Sequence, residues 1–220
     1  MAINRGPKIS TNGLVLSYDI KDAVSFPNQS VNTMYNLVNT GANALSSYSV
    51  ADSASLSWAN NITAITISLL LEKTATTTTY AYHPVNKWDA TLEKTSFVLY
   101  HFGNYQSNGQ DGVLGWYAGG GGSWKSLCFP GTMTVGKIWH LVLQYNSVTG
   151  AQGWTNGVKV GGRGGNGVLG SGSSNGSIGI HGPIAYDISR VHQISFYNRE
   201  LSDSEITDNY NLMYKSRVII

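Results

Sequence analysis

Apolar and polar residues alternate with a period of two in several stretches of this chain. Ile65, Ile67, Leu69 and Leu71 alternate with Thr66, Ser68 and Leu70. Trp139, Leu141, Leu143 and Tyr145 alternate with His140, Val142, Gln144 and Asn146. Leu14, Leu16 and Tyr18 share one parity within GLVLSYD, as do Phe97, Leu99 and His101 further on. Side chains on a strand point to its two faces in turn, so the pattern predicts strands with one buried face. In GWTNGVKV, Asn156-Gly157 supplies the two positive-φ positions of a type I′ turn and predicts a hairpin. The Gly-rich stretches 119–122 and 161–167 read as loops. The Thr-rich stretch 72–80 has no clear boundary in the pattern.

One segment changes period. Ile206, Tyr210 and Met213 fall at i, i+4 and i+7, one stripe of a helix. Ser202-Asp203-Ser204-Glu205 before it has the form of a capping box, in which serine and glutamate satisfy each other's backbone amides. Leu201 and Ile206 occupy the two positions of a hydrophobic staple. Strands followed by one C-terminal helix predict an all-β chain whose last strand feeds a helix packed on the rim. No internal repeat or linker interrupts the pattern, so residues 1–10 read as an N-terminal arm and residues 11–220 as one domain.

Composition narrows the class. A length of 220 residues suits one β domain and can bury about 70% of the unfolded surface without staples. The single cysteine, Cys128, leaves no internal disulfide and no Cys-based zinc site. Charged residues make up 12% of the chain, against ~25% in ordinary domains. With 26 Gly, 13 Tyr and 6 Trp, this favours strands and turns over disorder. A net charge of +2 with no dense basic run argues against nucleic acid as a partner. MAINRGPKIS has no apolar core of the kind a signal peptide needs. The longest apolar run, around Ile67–Leu71, is too short to span a bilayer, so no membrane partner is expected.

A search for catalytic chemistry returns little. Glycoside hydrolysis needs two carboxylates across the scissile bond. The four glutamates, Glu72, Glu93, Glu200 and Glu205, lack the one-strand E-x-D-x-x-E spacing, and Glu200 and Glu205 have a helix-terminus explanation. Gly131–Lys137 matches G-x-x-x-x-G-K, but Ile138 follows and a strand takes the place of the required helix. Gly162, Gly164 and Gly167 match G-x-G-x-x-G, again with no helix after them. Both read as glycine-rich turns. No G-x-S-x-G elbow occurs, and His83, His101, His140, His181 and His192 lie too far apart for a metal motif. Asp19, Asp22 and Asp111 lack a calcium-loop spacing and read as turn aspartates. No catalytic residue, metal or cofactor is therefore expected.

Binding residues are easier to nominate. Between Asn104 and Trp124, Tyr105, Asp111, Trp116, Tyr117 and Trp124 lie among seven glycines. Aromatic rings stack on sugar faces, and nearby carboxylates and amides fix the hydroxyls. Tyr105, Asp111, Trp116 and Trp124 are the candidate ligand contacts, with Trp88 as a second locus. The competing reading places Trp116 and Tyr117 on a strand, with one of them in the core.

Three segments carry a resemblance. WHLVLQYNSVTGAQGWTNGVKV (139–160) resembles the WHHVAVTYDGSTGTLKLYVNG segment of laminin-G-like jelly rolls. ISFYNRELSDSEITDNYN (194–211) resembles their IYNRALSDEEIQQNYN ending. GLVLSYDIKDAVSFP (13–27) is similar to the GLVLYLDAGNPKSYP opening of many tailed-phage structural proteins, and the KWD at 87–89 followed by SFVLY also fits. The resemblance implies an antiparallel two-sheet jelly-roll sandwich of the concanavalin A-like class with one short C-terminal helix. Two departures remove carboxylates and with them a calcium site: His192 stands where an acidic residue is common, and Asn36-Leu37-Val38-Asn39 replaces a DLSG-like turn.

The resemblance implies a non-enzymatic structural protein on a phage virion surface, a head decoration or tail accessory protein. Its expected partners are capsid or tail proteins, further copies of itself in a homo-oligomer, and a host surface glycan. The basic arm, with Arg5 and Lys8, and the tail Lys215–Ile220 are candidate docking elements, the tail alternatively a final strand. The alternative function is a carbohydrate-binding adhesin module that recognises host glycans.

Overall fold

The computed structural model describes residues 14–19, 48–50, 63–73, 82–87, 97–101, 113–117, 124–128, 133–161, 178–180 and 189–218, with side chains at 63–73, 133–160 and 192–212. These form twelve strands and one helix in chain order. They are β1 (Leu14–Asp19), β2 (Tyr48–Val50), β3 (Ala64–Lys73), β4 (Tyr82–Lys87), β5 (Phe97–His101), β6 (Val113–Tyr117), β7 (Trp124–Cys128), β8 (Ile138–Asn146), β9 (Gly150–Thr155), β10 (Val158–Gly161), β11 (Ile178–Ile180), β12 (Ser189–Tyr197) and α1 (Asp203–Val218). One six-stranded sheet runs β1-β12-β3-β8-β9-β10, and another runs β2-β11-β4-β5-β6-β7. Every described pairing is antiparallel. The described residues are thus mostly antiparallel β-sheet, with one helix after the last strand. The arm at 1–10 and the loops at 119–122 and 162–167 lie outside the described residues.

The first sheet holds the described core. Its register sets Ile67 beside Leu143 and Phe196, and Leu69 beside Leu141 and Ile194. All six side chains are buried. This is the face predicted by the alternation.

The opposite face departs from the expectation. Thr66, Ser68, Leu70, His140, Val142 and Gln144 are buried too. What covers them is the chain's own C-terminal segment. Val142, Trp154, Tyr197, Leu201 and Ile206 form one buried cluster, so α1 lies across the face of β8, β9 and β12 rather than on the rim. Polar residues survive there because each finds a hydrogen-bond partner, without which burial would cost a few kcal/mol per group. Alternation reports which face is polar, and only packing decides whether that face meets water.

Two local predictions are reproduced atom by atom. Asn156 and Gly157 have φ of 51° and 78°, and Val158 pairs with Thr155, which is the predicted hairpin. At the head of α1, Ser202 Oγ accepts the Glu205 amide at 3.3 Å, and Glu205 Oε2 accepts the Ser202 amide at 2.9 Å. Leu201 and Ile206 close the staple in the buried cluster. α1 continues through Val218, so Lys215–Val218 are helical and not a final strand.

Candidate functional site

Two of the nominated binding residues, Trp116 and Trp124, belong to the second sheet. Trp116 lies in β6 and Trp124 in β7, on strands rather than in a glycine-rich loop. They are not cross-strand partners: Trp116 sits opposite Lys125, and Trp124 opposite Tyr117. Tyr105, Asp111 and Trp88 lie outside the described residues.

β4 leaves the sheet at Lys87, directly opposite Phe97, where β5 enters. β5 runs to its far end, and Tyr100 there pairs with Val113, the first residue of β6. β6 then returns, so the Tyr117–Trp124 end of its hairpin with β7 lies at the Lys87 end of the sheet. The strand that leads into Trp88 therefore ends beside the Trp116–Trp124 hairpin. His101 and Val113, which flank the connection carrying Tyr105 and Asp111, lie at the opposite end. Five residues of strand separate the two ends by roughly 15 Å. By this register Trp116 alternates with Tyr117, so Trp116 and Trp124 lie on opposite faces of the sheet.

A second constellation, not nominated from the sequence, lies between α1 and the first sheet. Gln144 is its hub. Its Oε1 accepts the Leu201 amide at 3.0 Å, and its Nε2 donates to Glu200 Oε1 at 3.3 Å. Asn146 Nδ2 donates to the other Glu200 oxygen at 2.9 Å. Glu200 thus anchors two amides of β8, a different role from the helix-terminus one expected of it. The Thr66 hydroxyl has one proton and two acceptors, the Arg199 carbonyl at 2.7 Å and Gln144 Oε1 at 3.2 Å. The shorter contact is the stronger donation. Arg199 grips the Glu205 carboxylate with both terminal nitrogens, at 2.6 and 3.0 Å, and this pairing raises its already high pKa. Asn209 Nδ2 donates to the buried Tyr197 hydroxyl at 3.1 Å, where burial raises the phenol's pKa against that bond's opposing pull.

Deeper still, Ser68 Oγ and His140 Nε2 lie 2.9 Å apart. The pair has the spacing of a nucleophile and its base. Both residues are 0% exposed, so no substrate reaches them. His140 Nδ1 has no partner, so no third group orients the ring as catalysis requires. Burial lowers the His140 pKa from 6.5 to about 4 and keeps the ring neutral. The arrangement is packing, not an acyl-transfer site.

The remaining sequence candidates resolve similarly. Gly136, in the apparent phosphate loop, occupies a turn with φ of 77° and donates its amide to the Lys73 carbonyl at 2.7 Å. A strand follows it, so the turn presents no helix N-terminus to a phosphate. His192 Nε2 lies 2.8 Å from Glu72 Oε2. Among the described residues, no three of His, Cys, Asp and Glu come together as a metal site would need. Among the same residues, no helix is long and apolar enough to cross a membrane.

No family model and no curated protein sequence matches this chain. Its fold does match solved structures. The botulinum neurotoxin serotype G binding domain aligns with a TM-score of 0.63 at 12% identity, over 91% of this chain and 51% of that one. The binding domain of Paraclostridial Mosquitocidal Protein 1 gives 0.59 at 16% identity, over 76% and 41%. A botulinum neurotoxin type C structure, described as showing that cell entry depends on interaction with two ganglioside molecules, gives 0.57 at 12%, over 76% and 40%. At such identities the likeness is one of fold. This chain spans about half, or less, of the length of each of these proteins.

Proposed function

We propose that this chain is a non-enzymatic recognition domain, a concanavalin A-like two-sheet jelly-roll sandwich that binds glycan on a cell surface. The observation that carries the reading is the fold shared over 91% of the chain with a toxin binding domain. A structural neighbour whose cell entry depends on gangliosides points to the chemistry of the ligand, a sugar headgroup. The β6–β7 pairing sets Tyr117 opposite Trp124 on one face of the sheet, two residues of the type that sugar faces prefer. No cofactor enters this reading. Catalysis does not either: the Ser68–His140 pair is sealed, and Glu200 and Glu205 are engaged in holding α1.

The test is binding of the full chain to a glycan array and to ganglioside-containing vesicles. Tyr117→Ala and Trp124→Ala should each weaken binding about tenfold or more, the loss of one stacked aromatic contact of ~1–2 kcal/mol. Absence of binding to every glycan, or binding unchanged in both variants, overturns the proposal.

A second reading rests on the chain's own motifs. The opening at 13–27 and the ending at 194–211 favour a structural protein of a phage virion, docked as a homo-oligomer on capsid or tail proteins. None of the three structural neighbours named above is a virion protein, so the recognition reading leads. Mass spectrometry of purified particles decides the matter: a virion protein is present in stoichiometric amount, and absence from particles removes this reading while leaving the first intact.

A further inference from the structure

His140 is the least satisfied polar side chain under α1. Its ring is 0% exposed, and Nδ1 meets no hydrogen-bond partner. Neither tautomer cures this. If Nε2 accepts from Ser68, Nδ1 carries an unpaired N–H; if Nε2 donates, Nδ1 is an unpaired acceptor. Double protonation would add a buried charge to an unpaired donor, the costlier state.

The lid over this ring is α1. Tyr210 stacks on it with centroids 5.8 Å apart, tilted by 31°. The groups facing the imidazole among the described residues are Ser68 from β3 and Tyr210 from α1. Asn156, from the β9–β10 turn, is tied to the His140 backbone through Asn156 Oδ1 at 3.0 Å and its own amide at 2.8 Å. Only Tyr210 among these is titratable, and a phenol carries no charge near or below neutral pH. None of these described groups is a carboxylate that could compensate an imidazolium there. Elsewhere α1 is held by bonds that mild acid leaves in place: the Gln144–Leu201 amide, Asn209–Tyr197 and the apolar cluster.

We propose that α1 is an acid-released latch, undocked from the first sheet when His140 takes up a second proton. The ring sits at about 4 when docked, against 6.5 for an ordinary histidine. Docking strength is therefore complete above the ordinary value and is lost as pH falls toward the docked one. Between pH 7 and pH 5 the opening constant of α1 rises roughly 20-fold.

Hydrogen exchange of the intact chain, corrected for intrinsic rates, measures this at the two pH values. The expected result is a roughly 20-fold rise confined to α1 amides, with β3 and β8 protected at both. His140→Gln keeps a partner for Ser68 and cannot gain a proton, so its α1 protection should be the same at both pH values. A rise of equal size in His140→Gln overturns the proposal. So does a rise shared by β3 and β8, which is global unfolding. Should the variant fail to fold, the imidazole resonances of the wild-type chain serve instead. A ring that takes up its proton together with loss of α1 protection supports the latch, and one that takes it up with α1 still protected refutes it.

Discussion

The side-chain carbonyl of Gln144, on β8, accepts the backbone amide of Leu201 at 3.0 Å. This bond joins the centre of the first sheet to the residue that precedes the helix cap. Replacing Gln144 with leucine fills the same volume but leaves the Leu201 amide without its partner and Glu200 with Asn146 alone of the two β8 amides. The chain should lose about 1–3 kcal/mol. Urea unfolding measures it, and an unchanged midpoint shows that water substitutes freely.

Gly157 and Gly136 offer a paired experiment. Both have positive φ, 78° and 77°. A Cβ at Gly157 would stand 3.0 Å from the Tyr210 ring, while one at Gly136 meets nothing within 4 Å. Each change to alanine should cost about 1–2 kcal/mol of backbone strain. Gly157→Ala should cost more, and the excess should vanish in a Tyr210→Ala background. Equal costs for the two glycines would show that α1 yields at no expense.

Ser202→Ala removes the cap hydroxyl and should destabilise the chain by about 1 kcal/mol. The Arg199–Glu205 pair beside it is about a quarter exposed on each side. Its coupling in a double-mutant cycle should stay at or below ~1 kcal/mol despite the bidentate geometry. A larger coupling would assign the pair a structural role that its exposure argues against.

Trp154 is among the largest fully enclosed side chains, and Lys159 Nζ lies 5.2 Å above its ring. Trp154→Ala should cost about 3–5 kcal/mol through the cavity it leaves. Lys159→Met should cost below ~1 kcal/mol, because it removes only the cation–π contact and keeps the apolar stem. Thermal unfolding of the two variants should rank them in that order.

The layout of the second sheet makes a prediction about binding. Tyr117→Ala and Trp124→Ala should weaken the same ligand, because the two are cross-strand partners on one face. Trp116→Ala should leave that ligand's affinity within about twofold, as Trp116 alternates with Tyr117 and lies on the other face. Titration on one immobilised glycan separates the two faces, and a loss confined to Trp116→Ala would reverse the assignment.

Much of this architecture was legible in the residues. The Asn156-Gly157 turn, the Ser202–Glu205 box and the Leu201–Ile206 staple depend on chemistry within a few positions of one another. Local sequence therefore determines them. The inner face of β3 and β8 was equally plain, since Ile67 and Leu143 have no reason to alternate with polar neighbours except a common core. The tertiary structure decided what covers the other face. Thr66, Ser68 and Gln144 look solvated because they are polar, yet partners 72 to 133 residues away satisfy them. Asn209, off the predicted helix stripe, is buried for the same reason, through the Tyr197 hydroxyl. Strand register likewise set Trp116 and Trp124 on opposite faces, which their spacing alone does not show. Periodicity records a residue's polarity along its own element, whereas burial of a polar group depends on a distant partner.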